Sequence, residues 1–80
     1  MNNRKDFLEM IKAAVGVDSQ MEVFLKYRDF SFMLEPHGEQ VDVRSSGKLL
    51  GSYKSFEEMV NSFEINGEPF IKCVDEIEFD

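Results

Sequence analysis

Eighty residues with sixteen acids, nine bases and one cysteine bound the possibilities closely. The length allows one domain, over residues 1–80, with one modest core, and the lone thiol excludes an internal disulfide. A formal charge of −7 argues against direct contact with nucleic acid or an anionic membrane, both of which call for clustered Lys and Arg. Eight Phe in a chain that is 42% hydrophobic exclude a disordered polymer. A small domain with neither disulfide nor evident metal staple suits a reducing cytoplasm. The N-terminal stretch has no continuous apolar segment of the kind a signal peptide carries, and no apolar run approaches the ~18 residues of a membrane span.

The charge is unevenly placed. Residues 1–54 hold eight acids and eight bases, whereas residues 55–80 hold eight acids against Lys72 alone. All of the net charge therefore lies in the last third, which suggests a surface with a preferred kind of partner.

In chain order, Asn3 to Val15 reads as a helix. Phe7, Ile11 and Ala14 recur at helical spacing, with Leu8, Met10 and Val15 widening the stripe. Asn3 is the predicted N-cap and Gly16 the predicted stop. Val17–Gln20 reads as a connector. Met21 to Arg28 alternates strictly, with Met21, Val23, Leu25 and Tyr27 on one face, and so reads as a strand. Phe30, Phe32 and Leu34 alternate in the opposite parity. A two-residue turn at Arg28-Asp29 restores the parity and pairs Tyr27 with Phe30, Leu25 with Phe32 and Val23 with Leu34. Pro36-His37-Gly38-Glu39 reads as the next turn, placing Leu34 opposite Val41. After Ser45-Ser46-Gly47, Lys48–Tyr53 is a fourth, weaker strand containing Gly51.

Ser55-Phe56-Glu57-Glu58 is a capping box that opens a second helix with Met59, Val60 and Phe63 on its apolar face. Asn66-Gly67 is read as its end. Pro69 then starts a last short helix carrying Phe70, Ile71, Val74 and Ile77. The expected fold is α+β: an N-terminal helix, a three- to four-stranded antiparallel meander and two short C-terminal helices.

No catalytic constellation or cofactor motif stands out, and the chain reads as a non-enzymatic protein needing neither cofactor nor metal. His37, the only histidine, falls in a turn, where a polar residue is ordinary. Cys73 adjoins an apolar stripe and acidic neighbours, which favours a buried, inert thiol. The acids lack calcium-loop or zinc spacing.

Two features point towards a partner. The hairpin register places Phe24 opposite Met33 on the reverse sheet face, near Leu49 or Tyr53 and rimmed by Glu22, Lys26, Glu35 and Arg44; if helices cover only one face, these form an exposed apolar patch. Asp75, Glu76 and Glu78 fall at the C-terminal end of the last predicted helix, where negative charge is destabilising, unless that segment is a strand. Phe24, Met33, Asp75, Glu76 and Glu78 are thus the candidate contact residues of a small cytoplasmic protein-binding or regulatory module, with homodimerisation as one form of that binding. The alternative reading is an acidic mimic of nucleic acid that occupies a nucleic-acid-binding protein.

Overall fold

The computed structural model describes residues 4–80, so the predicted N-cap Asn3 lies outside the described residues. The first helix, α1, spans Lys5–Val15 and buries Ile11 and Val15, with Phe7, Leu8 and Ala14 packed at the margin of the core. Met10, expected to widen the buried stripe, points outward and is 58% exposed. Gly16 stops the helix without a left-handed turn, at φ −65°. The freed carbonyls instead receive the side-chain amide of Gln20, whose Nε2 donates to the Gly16 oxygen at 3.0 Å and the Val15 oxygen at 3.3 Å.

Four strands follow as a meander: β1 (Val23–Tyr27), β2 (Phe30–His37), β3 (Gln40–Ser45) and β4 (Lys48–Tyr53). The β1–β2 register is the predicted one, with Tyr27 opposite Phe30, Leu25 opposite Phe32 and Val23 opposite Leu34. Arg28, the first residue of the two-residue turn, takes the positive φ of 57° that closing such a hairpin requires. The β2–β3 register differs from the expected one: Leu34 faces Val43, and Val41 faces Pro36. The turn is only Gly38-Glu39, because Gly38 at φ 66° supplies a tight two-residue reversal. Pro36 and His37 therefore remain in β2. There β2 has run past the start of β1, so a residue without an N–H forfeits no ladder bond on that side. In β4, Leu50 is an extra residue between the Val43–Gly51 and Arg44–Leu49 pairs, which makes a bulge.

The C-terminal third departs most from expectation. Helix α2 (Phe56–Ser62) begins at the predicted cap, where the Glu58 N–H donates to Ser55 Oγ at 3.1 Å. It ends before Phe63 rather than at Asn66-Gly67. Asn66 and Gly67, both at positive φ, turn a miniature hairpin of β5 (Glu64–Ile65) and β6 (Glu68–Pro69). Pro69 caps the short α3 (Phe70–Cys73), and one 3-10 turn follows at Val74–Glu76.

The chain then returns as β7 (Ile77–Phe79), antiparallel to β1. The main sheet therefore has five strands, not three or four, in the order β4-β3-β2-β1-β7. The α+β architecture stands, with an N-terminal helix and short helices near the C-terminus.

Alternation assigns one sheet face to the core. Leu25, Leu34, Val41, Val43 and Ile77 meet Ile11 of α1, Met59 of α2 and Phe70 of α3, all of them fully buried. Phe32 lies at the aromatic centre, with ring centroids 5.3 Å from Phe30, 5.7 Å from Phe63 and 6.3 Å from Phe70.

Candidate functional site on the open sheet face

The period of two that buries one face of the sheet assigns the intervening residues to the other. The strand registers arrange these in cross-sheet rows. The central row runs Leu49, Arg44, Met33 and Phe24, with Asp80 following on the far side, where its N–H donates to the Phe24 carbonyl at 2.9 Å. Towards the β1–β2 turn lie Ser31, Lys26 and Glu78. Towards the β2–β3 turn lie Ser52, Asp42 and Glu35, then Gln40 and His37.

The predicted Phe24–Met33 pair is therefore adjacent on the open face. Phe24 is 53% exposed, Leu49 is exposed and Met33 is half-buried. Lys26, Glu35 and Arg44 rim the pair as expected. Tyr53 does not belong to it: Tyr53 faces inward opposite Val41 and packs against Phe63.

The acidic candidates are not gathered into one site. Asp75 and Glu76 occupy the 3-10 turn, and Glu78 is in β7 opposite Lys26. Asp75 and Glu76 thus end the short helical run 70–76, as anticipated, whereas Glu78 has passed into a strand. Glu76 accepts two bonds from Arg28, Nε to Oε1 at 2.8 Å and Nη2 to Oε2 at 3.0 Å. That hydrogen-bonded guanidinium holds the Glu76 carboxyl below its ordinary value. Glu57 pairs with Lys12 at 2.7 Å, and Glu58 Oε1 accepts the Lys54 N–H at 2.6 Å.

The polar end of the open face holds a cluster that turn composition concealed. Glu35 and His37 are two apart on β2, and Asp42 on β3 lies directly opposite Glu35. His37 Nε2 is 3.3 Å from Glu35 Oε1 and 3.5 Å from Asp42 Oδ2. Arg44 Nε donates to Glu35 Oε1 at 2.8 Å, and Gln40 Nε2 donates to Asp42 Oδ1 at 3.0 Å. The hydrogen bond from Arg44 and the contact with His37 lower the Glu35 pKa, against a smaller opposing effect of burial. Burial acts to raise that of Asp42, which is only 6% exposed, but hydrogen bonds from Ser52 and Gln40 and the nearby His37 and Arg44 leave it lowered. The signal in the sequence was the alternation itself: Glu35-Pro-His37 continues the outward phase of β2, and Asp42 lies between the inward Val41 and Val43.

Cys73 is buried, with Sγ 3.8 Å from the Glu68 carbonyl, and burial pushes its thiol up, away from the reactive thiolate. Comparison with known protein families, curated proteins and solved structures finds no match for this chain. No helix among the described residues is long and apolar enough to cross a membrane.

Between α1, α2 and the β2–β3 turn runs a groove of about 370 Å³ floored by Val15, Val41 and Phe56. Its Lys12 and Glu57 neutralise each other.

Proposed function

We propose that this protein is a non-enzymatic protein-binding module that meets its partner through the open sheet face around Phe24 and Met33. The observation that carries this reading is Phe24. It lies on β1, an interior strand flanked by β2 and β7, yet its ring is half in water. Burying a Phe side chain gains about 1.5–3 kcal/mol over leaving it exposed, and much of that gain is left for a second surface to collect. Met33 beside it adds an adaptable apolar neighbour. The partner that suits this face is apolar at its centre and basic around it, since the chain's charge of −7 would steer such a surface in.

The acidic-mimic reading has less support. Of the eight acids after residue 54, Glu57, Glu58 and Glu76 are engaged within the molecule, and the others are divided among the small hairpin, the 3-10 turn and the end of the sheet.

A photo-crosslinking residue placed at position 24, with one at position 64 as control, tests the proposal in the native host. A discrete adduct formed from position 24 and suppressed by Met33→Ser supports it. Adducts equally strong from both positions, or none from position 24, overturn it. Crosslinking of the purified protein to itself would identify the partner as a second copy.

A further inference from the structure

We propose that Glu35, His37 and Asp42 form a site for a divalent first-row transition cation of the zinc type. The inference is independent of the protein-binding reading, because it rests on the geometry of three donors. His37 Nε2 stands 3.3 Å from Glu35 Oε1 and 3.5 Å from Asp42 Oδ2. Zinc bonds to nitrogen and oxygen are about 2.0–2.2 Å, so neighbouring ligands of a tetrahedral ion are separated by roughly 3.3–3.6 Å. Two edges of such a tetrahedron are already in place. The donor atoms of all three residues lie within 4.8 Å of one another, so closing the third edge requires only side-chain adjustment.

The strands bring the carboxylates together. Glu35 and Asp42 are direct cross-strand partners, and like charges so placed repel. Asp42 is also buried, and hydrogen bonds from Ser52 and Gln40 already offset the cost of its charge. Arg44 compensates Glu35 from one side, and the interval between the two carboxylates is faced by His37 Nε2, which has a lone pair to give when the ring's proton sits on Nδ1. A cation there would take one donor from each residue.

The surroundings resemble the outer shell of a metal site. Gln40 holds Asp42 by Oδ1, leaving Oδ2 towards His37, whereas Arg44 Nε donates to Glu35 Oε1, the same oxygen that faces His37, so that oxygen would serve both the guanidinium and the cation. Arg44 also sets the charge of the cluster at −1 with His37 neutral, so a divalent ion would leave only +1. One imidazole with two carboxylates favours zinc-like ions over magnesium or calcium, which take six or more oxygens. The fourth position opens to solvent, since His37 is exposed. The only thiol, Cys73, is buried and is no rival ligand.

The test uses tag-free, chelator-treated full-length protein titrated with zinc chloride by calorimetry, with magnesium chloride as the comparison. The imidazole nitrogen signals of the single histidine are followed in parallel by NMR. The expected result is one zinc per chain, a shift of the His37 Nε2 resonance, and no comparable binding of magnesium. His37→Ala, an exposed change whose fold is checked by metal-free thermal unfolding, should weaken zinc binding about tenfold or more, and Glu64→Gln should leave it unchanged. Saturable binding that leaves the His37 ring signals unmoved, equal affinity in His37→Ala, or no saturable binding at all would overturn the proposal.

Discussion

Gln20 and Gly38 exchange a pair of hydrogen bonds: the Gly38 N–H donates to Gln20 Oε1 at 2.7 Å, and Gln20 Nε2 donates back to the Gly38 carbonyl at 2.8 Å. A side-chain amide thus imitates one rung of a sheet. The same Nε2 reaches the end of α1, so a single residue ties the first helix to the β2–β3 turn.

Gln20→Glu tests that tie. The side chain keeps its shape but presents oxygen where the amide gave hydrogen, so the Gly38 carbonyl loses this donor, while the Gly16 carbonyl keeps the Ser19 and Gln20 N–H groups. Urea unfolding should show a loss of about 0.5–1.5 kcal/mol. An unchanged midpoint would mean that solvent replaces both bonds without cost.

The start of α2 yields a second expectation. Ser55→Ala removes the oxygen that accepts the Glu58 N–H and should cost about 0.5–2 kcal/mol in equilibrium unfolding. Glu58→Gln should cost far less, because an amide oxygen can still accept the Lys54 N–H. Equal losses would show that the carboxylate charge, not the acceptor, supports the helix start.

Two phenylalanines of the same hairpin should behave oppositely. Phe32 is 3% exposed among three other rings, and Phe32→Ala should destabilise by about 3–5 kcal/mol. Phe24→Ser, on the open face, should cost only about 1 kcal/mol by thermal or urea unfolding, since half of the ring is already in water. A large loss for Phe24→Ser would mean that the ring is structural and would remove the reason for assigning it to a partner.

How far the fold could be read depended on how local the signal was. The parity reversal between Tyr27 and Phe30 has one economical solution, and β1 and β2 adopt it. Capping at Ser55 was equally legible, being a contact across three residues. The β2–β3 register was not, because Pro36 and His37 look like turn residues until one knows that β1 has already ended beside them. Strand β7 was hidden for a different reason. Three residues, Ile77–Phe79, carry too little alternation to announce a strand, and their partner β1 is some fifty positions earlier. The Phe24–Met33 pair followed from the legible hairpin. The Glu35–His37–Asp42 cluster depended on the misread turn and was missed with it.

Acid should weaken the fold in a defined direction. Glu35, Asp42, Glu57 and Glu76 all have pKa values lowered in the folded protein. Each therefore stabilises the fold above the pH at which the unfolded chain's carboxyls titrate, about 4, and loses that contribution as pH falls through the lower folded value. The thermal midpoint should hold nearly level from pH 7 to about 5 and then drop towards pH 2–3. Glu76→Gln should make that drop shallower. A midpoint that rises on acidification would contradict the arrangement of these carboxylates.

The pairing of β7 with β1 also bears on the order of synthesis. Until the ribosome has passed position 76, the meander can form but β1 keeps an unpaired edge, lined by the backbone of Val23–Tyr27. An open edge of this kind is a template for another strand, including one from a neighbouring nascent chain. Only when Ile77–Phe79 emerge does the protein supply its own partner for β1, and Arg4, donating from the start of α1 to the Ile77 carbonyl, then secures it. A transcript truncated upstream of Ile77 would thus yield a chain with nearly all of its core residues and a permanently adhesive side.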